Sequence, residues 1–121
     1  MAMLNRLLSM IKCTKTYLRK SEMCTGDAYR VTLTYKGNRC SFVFHDNFRN
    51  ESTKKDFIYC LVLDAQAYDN ARDFYDFATD FGYDYTRDSE ARKAYRACEK
   101  QSDRLHRLFN QQEIDILSEI E

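Results

Sequence analysis

The 121-residue chain has no proline, no tryptophan and only three glycines. So little punctuation excludes linkers, low-complexity segments and short internal repeats, and one domain spanning 1–121 is expected. Long apolar runs are also missing, with nothing near the roughly 18 residues that cross a bilayer. The N-terminal MAMLNRLLSMIK is short, is interrupted by Arg6 and has no small-residue cleavage site after it, so no secretory signal is expected. Cys13, Cys24, Cys40, Cys60 and Cys98 are odd in number and contain no CxxC pair, which argues against both a disulfide framework and a zinc ribbon. Reduced thiols and a cytoplasmic location are the expectation.

Catalytic patterns are absent as well. No glycine-rich phosphate loop occurs. Cys98 and His106 lie eight apart on one predicted helix, about 12 Å along its axis, too far for a nucleophile and its base. Cys40 and His45 have opposite parity in a predicted strand and point to opposite faces. DFGYDYTRD spaces its oxygens like a calcium loop, but Tyr85 and Ala91 stand where that loop needs glycine and glutamate. Neither an enzyme nor a metal or cofactor site is expected.

Apolar periodicity defines an α+β chain. Leu4, Leu7, Leu8 and Ile11 predict an N-terminal helix, and CTKTYLRK, within about 14–20, is an edge-strand candidate. Tyr29, Val31, Leu33 and Tyr35, then Cys40, Phe42 and Phe44, alternate with polar residues. Gly37 and Asn38 between them suit a tight turn, so a β-hairpin over about 28–45 is predicted. Four to five helices should pack on one face of this sheet. A single helix over 52–81 would reach about 45 Å, too long for so small a chain, so a break at Asp69-Asn70 is expected, with Asn70 capping the second piece. FIYCLVL, apolar nearly all round, marks the first piece as the central buried helix. The second should bury Phe74, Phe77, Ala78 and Phe81 and stop at Gly82. Asp88 should cap the next helix, whose apolar stripe runs from Ala91 to Phe109, and Asn110 with Glu113 should cap a short last one.

Charge is the chain's oddity. Nineteen bases balance nineteen acids, yet the signs are segregated. Residues 64–90 hold eight acids and two bases, and 91–109 hold six bases and two acids. On a helical wheel Asp69, Asp73, Asp76 and Asp80 fall within roughly an 80° arc, and Asp84 and Asp88 continue the line. Their spacing of about 5–6 Å resembles that of phosphates on a strand. Tyr75, Tyr83 and Tyr85 border this stripe, and tyrosine beside charge suits a protein-binding surface. The same acids also serve as helix caps and a solvated face. Arg92, Lys93, Arg96, Lys100, Arg104 and Arg107 share about 120° of the following helix and could neutralise phosphates. They could equally pair with the acidic stripe or with Glu113, Asp115, Glu119 and Glu121. Aromatics for base stacking are missing from this basic face.

YRVTLTYKGNRCSFVF, DFYDFATDFGYD and ARKAYRAC, in that order over about residues 29–98, resemble a group of short proteins of uncharacterised activity encoded by bacteriophages and prophages. YTRDSE and the N-terminal helix depart from the group's pattern. The resemblance implies an inhibitor of anti-CRISPR type in the host bacterial cytoplasm. Its partner would be a host protein with a basic nucleic-acid channel, such as a CRISPR effector nuclease, met by the acidic stripe as a DNA mimic. Two alternatives rank below it: a nucleic-acid-binding accessory protein using the basic helix, and a metal-stabilised interaction module.

Overall fold

The computed structural model describes residues 2–47, 50–83 and 87–120. Among them the chain forms α1 (Ala2–Met10), β1 (Lys12–Lys20), β2 (Asp27–Tyr35), β3 (Asn38–Asp46), α2 (Lys54–Asp69), α3 (Phe74–Asp80), α4 (Asp88–Leu108) and α5 (Gln111–Leu117). The three strands make one antiparallel sheet in the order β1-β2-β3, so the fold is α+β. The edge-strand candidate is β1, somewhat longer than expected. No helix among the described residues is long and apolar enough to cross a membrane.

Alternation decides which face of the sheet is covered. Val31, Leu33, Tyr35, Cys40 and Phe42 are buried in one hydrophobic cluster with Leu4, Leu7 and Ile11 from the N-terminal segment. Helices α2, α4 and α5 complete that cluster through Phe57, Leu61, Leu105, Ile114 and Leu117. Positions of opposite parity are mostly polar, with Val43 the exception on β3: Thr32 and Ser41 face each other across β2 and β3 and share a 2.7 Å hydrogen bond.

The hairpin turn lies one residue earlier than the sequence suggested. Tyr35 pairs with Asn38, so Lys36 (φ 48°) and Gly37 (φ 80°) take the two positive-φ positions, and Asn38 begins β3. This is the backbone of a type I′ turn, whose twist matches that of the strands.

The break between α2 and α3 falls where expected, with different caps. Asn70 closes α2, while the Asp73 side chain accepts the Asp76 N–H (2.9 Å) and is the N-cap of α3. The Asp76 carboxylate returns to the Arg72 N–H (2.9 Å). Gly82, at φ 73°, ends α3: its N–H donates to Thr79 O and that of Tyr83 to Ala78 O, the paired bonds of a Schellman motif. Asp88 lies in the first turn of α4, with Arg87 at the cap position. Asn110 and Glu113 form the predicted capping box of α5.

Two burial expectations are corrected. FIYCLVL is not buried all round: Phe57, Ile58, Leu61 and Val62 face the core, but Tyr59 and Leu63 are exposed. Phe81 is 52% exposed, because α3 has turned its end away from the core by the time it reaches the glycine stop.

Candidate functional site

The line of aspartates does not form one outward ridge. Asp69, the last residue of α2, turns to α4, where its carboxylate accepts from Ser102 Oγ (2.5 Å) and meets His106 Nε2 (2.8 Å). Asp73 and Asp76 are occupied as caps, and Asp76 also pairs with Arg72 (3.7 Å). Asp88 pairs with Arg92 one turn on (2.9 Å). Only Asp80 of the line is exposed with no partner among the described residues. Asp84 and Tyr85 lie outside those residues. Tyr75 is 69% exposed, and Tyr83 is half-buried with its ring stacked on Phe81 and the Arg87 guanidinium 4.9 Å above it. Periodicity gave the right helix face; the side chains on it are spent on capping and on joining α2 to α4.

The basic helix is arranged differently. Gln101 and Ser102 are the polar residues of its buried side, and they are satisfied by carboxylates from α2: Gln101 Nε2 donates to Asp64 (3.3 Å), Ser102 to Asp69. This fixes the rotation of α4. Two adjoining hollows then separate its basic face from β3. The larger, about 970 Å³, is lined on one side by Arg92, Lys93, Arg96, Lys100 and Arg104, and on the other by Phe42, Val43 and His45 with Met23. The smaller, about 330 Å³, continues it between Lys100, Arg104 and Arg107 and Cys40 and Ser41. All six bases singled out in the sequence therefore line one trough. Sequence reasoning placed them on a helix face; it had no signal that β3 would form the opposite wall.

Most of these bases are not paired with acids among the described residues. Arg92 pairs with Asp88, and Arg104 donates to Gln101 Oε1 (2.7 Å). Lys93, Arg96, Lys100 and Arg107 have no hydrogen-bond or ion-pair partner among the described residues. The acids of α5 are not used for them: Glu113 takes Lys36 (3.6 Å) and the Tyr35 hydroxyl. Asp64 and Asp88 in the larger hollow and Asp103 in the smaller are the opposing carboxylates. Burial pushes the Asp64 carboxyl above its ordinary range, against hydrogen bonds from Gln101 and Cys60 that favour its charged form.

The remaining chemistry is quiet. Burial raises the thiols of Cys13 and Cys40, and carries Cys60 to about 12 and Cys98 to about 11, with the Asp64 charge adding to both of the latter. Thiols so placed are protonated at neutral pH and make poor nucleophiles. His45 Nδ1 lies 2.8 Å from Ser21 Oγ, but that hydroxyl already accepts the Met23 and Cys24 N–H groups and serves to close the β1–β2 loop. Among the described residues no group of three or more His, Cys, Asp or Glu is placed to hold a metal ion.

What the fold and site define is a small α+β protein with a cationic trough at the edge of its sheet. Comparison with protein-family models, with curated proteins and with solved structures finds no match for the chain.

Proposed function

We propose that this chain is a nucleic-acid-binding protein, not an enzyme, and that it works through the trough between α4 and β3. The observation that carries the reading is the coincidence of the basic face with a hollow of about 970 Å³, four of its cations having no partner among the described residues. Arg92 and Arg96, Arg96 and Lys100, and Lys100 and Arg104 stand four apart on one helix. Each such like-charge pair costs a few tenths of a kcal/mol, and folding gains nothing from it. A bound polyanion removes that repulsion and releases counterions. The test is fluorescence anisotropy with a labelled oligonucleotide across a salt series. Five phosphate contacts correspond to a slope of log K against log salt of about −3.5. No anisotropy change at low salt would overturn the proposal.

A second reading keeps the inhibitor implied by the bacteriophage resemblance and places its contact surface on α3. One observation favours it: Phe81 and Tyr75 are exposed large aromatics beside Asp73, Asp76 and Asp80, a pattern suited to a cationic protein partner. On this reading excess protein slows DNA cleavage by a purified CRISPR effector nuclease, and Asp80→Lys with Phe81→Ala weakens the inhibition at least tenfold. Those two sites avoid the caps Asp73 and Asp76, so folding is preserved. Cleavage unaffected by the unaltered protein sinks this reading. Either activity would be exercised in the cytoplasm of a host bacterium.

A further inference from the structure

Resting on the nucleic-acid reading, we infer that the trough takes a single strand, not a duplex, with phosphates along α4 and bases turned toward β3. A helix reads a duplex by entering the major groove, about 12 Å wide, and must stand clear of its neighbours to do so. Helix α4 does not stand clear. It is tied to α2 along one flank through Asp64–Gln101 and Asp69–Ser102, and β3 runs beside the other. Its bases line a trough of about 970 Å³ whose other wall is β3, so a duplex laid along α4 also meets the edge of the sheet. A single strand can lie inside.

The length fits that occupant. From Lys93 to Arg107 the helix rises about 21 Å, a run of cations suited to a few successive phosphates, near the lower end of known single-strand sites of roughly 4–16 nucleotides. The opposite wall supplies what bases require. Strand β3 is the end of the sheet and has one edge with no neighbouring strand, so a row of its backbone N–H and C=O groups lacks sheet partners. Val43 (38% exposed) and Met23 (74% exposed) add apolar contact on the same side. Among the described residues no exposed aromatic ring lines the trough, so affinity should be moderate and base preference slight. An acidic peptide is the other polyanion to weigh. Protein interfaces draw their affinity from a few buried anchors; here Phe42 is already buried, and Val43 and Met23 stand exposed on the surface of the trough.

The experiment compares three fluorescein-labelled probes at 50 mM salt: a twelve-nucleotide oligo-dT, a blunt duplex of the same length, and a glutamate peptide of matching charge. Oligo-dT should bind at least tenfold more tightly than either of the others. Val43→Glu, an exposed position on the β3 wall, should weaken oligo-dT binding about tenfold, whereas Thr16→Glu on the far edge strand should leave it unchanged. Duplex binding as tight as or tighter than oligo-dT overturns the single-strand inference and leaves the nucleic-acid reading standing. Preference for the glutamate peptide, or no binding of either nucleic acid, overturns both. Equal losses from the two substitutions would show the strand is not held against β3 and overturn the inference.

Discussion

Asp46→Ala should destabilise the protein by about 3–5 kcal/mol, the range for removing one partner of a buried charge pair. Asp46 has no exposed surface at the end of β3. Its carboxylate accepts the Ser52 N–H (3.1 Å) and hydroxyl (2.9 Å) and faces Lys15 Nζ at 3.6 Å. Lys15 reaches this point from β1, crossing the Tyr29 ring at 4.2 Å and donating to Asn50 O and Ser52 O. One carboxylate thus ties the edge strand to the segment that leads from the sheet into α2. Alanine leaves a buried N–H without an acceptor and a lysine, one quarter exposed, without its counter-charge. The backbone has no slack to compensate: Gly26 passes so close that a Cβ there would lie 1.6 Å from the Asp46 carbonyl oxygen. Asp46→Asn keeps an acceptor and should cost less, about 1–2 kcal/mol. Thermal melts followed by circular dichroism check both. Alanine should lower Tm by about 10 °C or more. A shift of under about 3 °C would mean that the loop into α2 does not depend on this charge.

Where the sequence was read correctly, the signal was local. The hairpin, the Gly82 stop and the Asn110–Glu113 cap each depend on a few neighbouring residues with steep steric or hydrogen-bonding preferences. The errors of detail came from competition between equally able residues. Asn70 and Asp73 can both cap a helix, and Asp73 prevailed because Asp76, three residues later, returns the bond to Arg72 N–H. Lys36 in the turn was missed because nothing in its chemistry favours a positive φ; it is carried there by Gly37 and the strand register. Asp46 was missed altogether. Its partners Lys15 and Ser52 lie in other elements, and only the tertiary fold brings them together.

The candidate site was half legible for the same reason. A helical wheel locates a charged face but says nothing of what stands opposite. It gave the aspartates a common direction, and the structure then used Asp69 to bind α4 and Asp73 and Asp76 to start α3. It gave the bases a common direction too, and there the structure left four without partners among the described residues and set a sheet edge across from them. Buried Gln101 and Ser102 were the overlooked clue. Two polar residues interrupting an apolar stripe imply acceptors on the neighbouring helix, and therefore acids that are not free for a partner.

Arg96→Glu together with Lys100→Glu should cost most of the affinity and leave stability almost unchanged. Both positions are exposed mid-helix, and glutamate is as good a helix former as the residues it replaces. Neither has a hydrogen-bond or ion-pair partner to lose among the described residues. The exchange turns the repulsive pairs Arg92/Arg96 and Lys100/Arg104 into attractive ones, but it sets the new carboxylates against each other and against Glu99 and Asp103, so the gains and losses of a few tenths of a kcal/mol each roughly cancel. Tm should stay within about 3 °C of the unaltered protein. Oligonucleotide affinity at 50 mM salt should fall on the order of 100-fold, and the salt slope should shrink by about 1.4 as two phosphate contacts disappear. A merely solvated basic face predicts the unchanged stability without the loss of binding. Loss of both together would mean that α4 had been disrupted, which the melt detects directly. Unchanged affinity in a well-folded variant would remove the trough as the binding surface, since these two cations stand at its centre, where α4 faces β3.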